Sequence, residues 1–448
     1  MASLFNKLEI ENFGPIKKAK IEVKDMMVFI GPQASGKSTL AKLITILDDI
    51  NFKQNTKTSL KEELEKYNIA TFLKANTIIE YNTPSFSFEL RDKKEYKFDI
   101  NTTIERLKNI HKEKKSLEDF SEVLNVTSQM LGIMLSGIIL DEKSDILIRE
   151  LQKHEDYGLN SHLEDVLLSD KKSPSTLSKN LLKSYNKNIE DIDEFIALID
   201  LVKQVFSIIH PLDSLYIPAE RTLLPLLAPN IAGLINNDIL IPKNLLFAVQ
   251  QFEKALQQVN DVDLNIIGNF RFKHIEGRSY IYHNKNQKVL LKDSASGIQS
   301  FLPILLLIEN SLKSENYINL NYVVEEPELN LYPEAQYNLV KYLVKNCLET
   351  TREIQTKNLI ITTHSPYILS SINNLLLAYN KGKINKDITK SIVNEKSWIA
   401  PEHFNAYEVR KGYVKKIFSK KIGLINDNMI DDVSDIILQD FKSLALIR

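Results

Sequence analysis

FIGPQASGKSTL, Phe29 to Leu40, decides how the rest of the chain is read. It contains Gly31-Pro32-Gln33-Ala34-Ser35-Gly36-Lys37-Ser38, a complete G-x-x-x-x-G-K-[ST] pattern, with Thr39 next in line. An apolar strand, Met27 to Ile30, precedes it and a helical period, Lys37 to Asp49, follows, which is the context that separates a phosphate loop from a chance glycine turn. The glycines let backbone N–H groups turn inward around phosphate oxygens, and the positive end of the helix adds its dipole. In that arrangement Lys37 reaches the β and γ phosphates and Ser38 offers its hydroxyl to Mg²⁺.

A second stretch, VVEEPELNLYPEAQ from Val323 to Gln336, places Glu325, Glu326 and Glu328 within four positions after the apolar lead-in Tyr322-Val323-Val324. Carboxylates at the mouth of a buried strand repel one another and lose hydration unless a cation sits among them. Alone, such a run reads as a solvated helix start. Beside a phosphate loop it reads as the strand whose carboxyl end holds the metal shell and the attacking water, which assigns Glu325 to the metal and Glu326 to the water.

The bulk properties leave room for this chemistry and narrow the rest. At 448 residues the chain supports several packed layers, and a net charge of -1 argues against a surface that coats nucleic acid generally. The single cysteine, Cys347, makes no internal disulfide, and no leader pattern opens the sequence, so the expectation is a cytoplasmic protein. Val123 to Leu140 lacks charge, but Asn125, Thr127, Ser128 and Gln129 interrupt it, which favours a buried helix over a membrane span.

Periodicity gives the organisation. Residues 1–100 read as the first part of an α/β head with short antiparallel strands, and 101–213 as a charged, helical insertion broken near Ser169 to Asn180. Residues 214–400 read as the second part of the head, and 401–448 as a hairpin and helix. The hairpin-like YEVRKGYVKKIFSKK, Tyr407 to Lys421, interleaves basic and aromatic residues; a nucleic-acid contact is one reading and a solvated hairpin the plainer one. Asp431 and Asp432 fall on the exposed face of an expected terminal amphipathic helix.

Taken together, the motifs resemble the ABC-type ATPase head of the SMC, RecF and OLD-like class. LEIENFGPI (Leu8 to Ile16) is similar to its opening strand, ASGIQS (Ala295 to Ser300) to its signature, EEPELNLYP to its Walker B and D-loop, and TTHSP (Thr362 to Pro366) to the segment with its switch histidine. The resemblance implies a P-loop fold with a mostly parallel core sheet, an antiparallel β subdomain and a helical insertion. It implies ATP and Mg²⁺, a γ-phosphate contact from His364, and a site completed by Ser296 and Gly297 of a second copy, hence a homodimer through the heads or multiples of it. A lone histidine is plainly read as a core residue satisfied by a carbonyl, but the place of His364 one residue beyond an apolar β run, after the other motifs, favours the γ-phosphate contact. Two positions depart from the class: Ile298 stands at the second signature glycine, and Glu325 at the Walker B aspartate. YIPAER (Tyr216 to Arg221) lies where a Q-loop falls, with Glu220 or Arg221 as sensor or as a structural salt bridge. Stand-alone ATPases of bacterial anti-phage systems share this layout, which implies a sensor or scaffold controlling a separately encoded effector. A DNA-repair or chromosome-maintenance ATPase, and an ATP-binding scaffold with little turnover, are the other readings.

Overall fold

The structure, a computed structural model, describes residues 7–54, 58–83, 86–99, 213–230, 233, 241–284, 287–313, 320–348, 357–426 and 429–445. The expected insertion at 101–213, including Val123 to Leu140, lies outside them except for Asp213.

The first three strands are β1 (Lys7–Phe13), β2 (Ile16–Glu22) and β3 (Met26–Ile30), followed by helix α1 (Lys37–Asp48). Strands β4 (Ile78–Asn82), β5 (Phe86–Arg91) and β6 (Lys94–Asp99) extend the antiparallel arm, and β7 (Asp213–Ile217) returns the chain to the sheet. Helix α2 (Lys243–Gln258) leads to four short strands, β8 (Asp261–Asp263), β9 (Arg271–Ile275), β10 (Arg278–Tyr282) and β11 (Lys288–Leu290), which form a separate antiparallel sheet. Then come α3 (Ser296–Lys313), β12 (Leu320–Glu325), α4 (Pro333–Cys347), β13 (Lys357–Thr363) and α5 (Pro366–Gly382). The last strands of the main sheet are β14 (Phe404–Arg410) and β15 (Tyr413–Lys416).

The main sheet has the order β6-β5-β4-β1-β2-β15-β14-β3-β13-β12-β7. Its half from β14 to β7 is parallel, and its half from β2 to β6 is antiparallel, as the motif order implies. Strands β3 and β12 are buried along their whole length, which is why they read as continuous apolar runs instead of alternating ones. Both faces are covered: Met26, Val28 and Ile30 join the core beneath α2 to α5, whereas Met27 and Phe29 join the core beneath α1. At the far end of α1, the buried Asp48 accepts from Tyr81 Oη (2.6 Å) and Asn321 Nδ2 (2.9 Å), tying the helix to β4 and β12.

One expectation changes. The stretch that begins at Tyr407 is not a solvated hairpin: β14 starts at Phe404 and runs parallel to β3 inside the sheet. Tyr407 stacks on Phe29 with ring centroids 5.9 Å apart, and its hydroxyl accepts from the Glu22 amide at 2.8 Å. The lysines beyond Gly412 obscured the apolar residues of a strand buried on both faces, Phe404 and Ala406 on one and Tyr407 and Val409 on the other.

Candidate active site

Strand β3 ends at Gly31, and the loop turns through Pro32, Gln33 and Ala34, all exposed, before Gly36 caps α1. Two backbone positions in the turn need the left-handed region: Ala34 has φ 57° and Gly36 φ 108°. A Cβ on Gly36 would sit 2.5 Å from Ile16 Cδ1, so the β1–β2 turn closes on the loop from above. Positive-φ residues in such a loop turn successive amides toward one point, which makes a concavity for an anion.

Lys37, buried, donates from Nζ to the carbonyls of Gly31 (2.8 Å) and Pro32 (2.9 Å). Burial pushes its pKa down, and the carboxylates of Glu326, Glu328 and Glu325 push back. The ammonium is thus held by neutral carbonyls near three acids, with its charge available to phosphate. Thr39 is buried and Ser38 half-buried in the first turn of α1.

Glu325 closes β12 and is 2% exposed. Burial, and then the negative charge of Glu220, push its carboxyl up, while Lys42 and the Ser38 and Tyr216 hydroxyls hold it down. Its Oε1 accepts no hydrogen bond from the described residues. An unsatisfied buried carboxylate oxygen costs more than the roughly 1–3 kcal/mol of a neutral polar group. Beside a serine hydroxyl, this donor set fits a hard divalent cation that takes oxygen ligands. The glutamate offers the same single carboxylate as an aspartate, one methylene further out.

Glu326 follows in a left-handed conformation, φ 43°, with its amide donating to Thr362 O at 2.9 Å. For a residue other than glycine that backbone costs about 1–2 kcal/mol. His364 stands just past β13, with Nδ1 3.6 Å from Oε1 of both Glu326 and Glu328. The Glu326 carboxylate raises the His364 pKa, against burial, with Glu328 adding to the rise; His364 in turn holds the Glu326 carboxyl below its usual range. The histidine is exposed and not a satisfied core residue.

Ser296 and Gly297 open α3, and Ser296 is exposed while Ile298 is buried in the core. Two residues along a helix lie about 200° apart, so the isoleucine points away from the face that carries Ser296. Gly297 has a local reason to be glycine: a Cβ there would lie 2.8 Å from Asn330 O. Among the described residues no hydrogen bond joins Ser296 or Gly297 to the phosphate loop, whereas Lys37, Ser38, Glu325, Glu326 and His364 converge.

Sequence reasoning gave Glu328 no role and left Arg221 open between a sensor and a salt bridge. Glu328 is buried, and its Oε1 accepts from Thr363 Oγ1 (2.8 Å) and the His364 amide (3.0 Å), fixing the start of the histidine loop. Its signal was present as the third glutamate of the acidic run. Among the described residues Arg221 makes no salt bridge: its guanidinium donates to the carbonyls of Ser300, Pro218, Glu325 and Glu326. Burial lowers its pKa to about 10, which leaves it charged at neutral pH. Only tertiary structure places these carbonyls around it.

A phosphate loop beside a strand ending in two carboxylates, with a histidine at the end of the strand between them, is the arrangement of a P-loop ATPase domain. The chain belongs to the AAA ATPase domain family, which it matches over residues 5–369. It is also similar to the SMC head domain from Thermotoga maritima, at 10% identity over 92% of this chain and 97% of that chain, with a TM-score of 0.34. The Smc head domain with an extended coiled coil from Pyrococcus furiosus, bound to the C-terminal domain of ScpA, matches at 10% identity over 98% and 99% of the two chains, with a TM-score of 0.31. The Smc head domain with a coiled coil and joint from Pyrococcus yayanosii matches at 10% identity over 93% and 98%, with a TM-score of 0.36. No curated protein matches. No helix among the described residues is long and apolar enough to cross a membrane.

Proposed function

We propose that the chain binds and hydrolyses ATP between two heads, and that this cycle controls a separate effector. The observation that carries the reading is the convergence of Lys37, Ser38, Glu325, Glu326 and His364 on one end of the parallel strands. The loop amides from Gln33 to Thr39 and the Lys37 ammonium hold the β and γ phosphates. Mg²⁺, held by Ser38 and Glu325, would neutralise charge on the phosphate oxygens.

Glu326 aligns a water and takes its proton as the water oxygen bonds to the γ phosphorus and the bond to the ADP oxygen breaks. A carboxylate kept ionised by the neighbouring histidine suits that task. His364 offers its ring N–H to the γ-phosphate oxygens, and Ser296 and Gly297 of a second copy close the site from the other side. The products are ADP and phosphate. Dimers through the heads, or multiples of dimers, follow from that division of the site. The resemblance to stand-alone ATPases of bacterial anti-phage systems extends the proposal to an effector encoded separately.

The test separates binding from turnover. Lys37→Ala should lose ATP binding, whereas Glu326→Gln should bind ATP and fail to hydrolyse it, read by equilibrium binding and phosphate release. Hydrolysis by Glu326→Gln at the parental rate would remove the assigned base.

A further inference from the structure

Arg221 is wholly buried, and among the described residues each of its hydrogen bonds goes to a main-chain carbonyl on one of three segments. Nε donates to Ser300 O (2.9 Å) in α3, Nη1 to Glu325 O (2.6 Å) and Pro218 O (3.1 Å), and Nη2 to Glu326 O (2.7 Å). The guanidinium fork thus joins the signature helix to the carbonyls on either side of the bond between the metal-site glutamate and the assigned base. Desolvating a guanidinium whose described partners are all carbonyls is costly, and in return four carbonyls receive charged donors.

Two further contacts run along the same line. Ser300 Oγ donates to Leu329 O at 2.7 Å, and Gly297 leaves no room for a Cβ against Asn330 O. The start of α3 is therefore tied to the segment Glu326 to Asn330 by direct contacts. Ser296 lies one turn before Ser300 on the same helix, which places the exposed serine about 6 Å along the helix axis from the carbonyl that Arg221 holds. The Glu326 backbone is in a conformation that a glutamate does not adopt freely, and Arg221 holds it there together with Thr362 O on its amide and the Leu329 amide on its carbonyl.

We infer that Arg221 is a positioning residue that couples the signature helix of each chain to that chain's own Glu326, so that closure of a partner's nucleotide on Ser296 sets the aim of the base. This rests on the proposed shared-site reading and adds to it a route by which one site informs the other. Lysine at this place keeps the charge but presents a single ammonium, which reaches one or two of the carbonyls and leaves the others without a donor.

Arg221→Lys is tested with two readouts. The first is steady-state hydrolysis beside equilibrium binding of a non-hydrolysable ATP analogue, measured well below the unfolding temperature of each protein. Expected are analogue affinity within about threefold of the parent and a kcat at least tenfold lower. The second is amide hydrogen exchange, with and without the analogue. The parent should show analogue-induced protection at residues 326–330, and Arg221→Lys should bind the analogue and lose most of that protection. If Arg221→Lys does not fold, Ser300→Ala removes the side-chain bond to Leu329 O, and a several-fold loss of kcat with unchanged analogue binding is expected. A kcat within twofold of the parent in the variant that folds would overturn the inference, as would equal protection in that variant and the parent, or no protection in the parent. Because the exchange readout needs no hydrolysis, a parent that shows the coupling but does not turn over ATP would refute the proposed hydrolysis and leave the coupling standing.

Discussion

Replacing Gly31 by alanine asks whether β14 truly lies against the phosphate loop. A Cβ on Gly31 would fall 2.2 Å from Val409 O and 2.9 Å from Ser35 Oγ, whereas ordinary contact begins at 3.4 Å. Relief requires a shift of about 1.2 Å, and the obstructing atom is main chain in a strand held between β3 and β15, so it does not swing aside as a side chain would. Overpacking of this kind costs about 1–3 kcal/mol. The backbone at φ 154° adds a further ~1–3 kcal/mol for a residue with a Cβ. Gly31→Ala should therefore lose roughly 2–6 kcal/mol of unfolding free energy, a large share of the 5–15 kcal/mol typical of a domain. Gly277→Ala is the control, because its φ is +74° and nothing lies within 4 Å of the added carbon. It should cost only about 1–2 kcal/mol, from the backbone alone. Urea unfolding reads both. If Gly31→Ala is no worse than Gly277→Ala, the close approach of β14 to the loop is wrong.

Glu22 gives a pH-dependent expectation: despite burial, the ammonium groups of Lys416, Lys24 and Lys420 bring its carboxyl down from 4.5 to about 2. A depressed carboxylate stabilises the fold above pH ~4.5 and loses that contribution as the pH falls toward 2, so Glu22→Gln should cost about 1–2 kcal/mol at pH 7, after allowing for solvent screening, and nearly nothing at pH 2. Thermal unfolding across that range measures the difference. Tyr81→Phe removes the 2.6 Å donor to buried Asp48 and should cost about 1–3 kcal/mol in urea unfolding while leaving ATP binding unchanged.

The phosphate loop and the acidic strand end were legible because their chemistry is local: the glycines, the lysine and the carboxylates lie in short runs next to strands of unbroken apolar character. The parallel core could be read for the same reason. What the sequence hid is long-range. Val409 is 378 positions from the glycine it covers, and Arg221 meets carbonyls at Ser300, Glu325 and Glu326 that carry no sequence signal, since every residue has one. Strand β14 was masked by the lysines of its own hairpin, whose solvated tips said little about the buried residues between them. Ile298 read as a lost glycine, yet its burial shows a helix anchored on the face opposite Ser296.

The most direct measurement of the shared site uses two broken chains. Lys37→Ala removes the phosphate ligand, and Ser296→Arg places a bulky cation where the signature should close on the neighbouring chain's phosphate. Each protein alone carries a lesion in both sites of its dimer. A mixed dimer pairs an intact Lys37 with an intact Ser296 at one site and gathers both lesions at the other. The mixed species is isolated through two different affinity tags and assayed for ATP-induced closure and phosphate release. The expected result is closure with partial ATPase activity, absent from either chain alone. A tagged mixed dimer that neither closes nor hydrolyses, or full activity in Ser296→Arg by itself, would contradict a site built from Lys37 of one chain and Ser296 of the other.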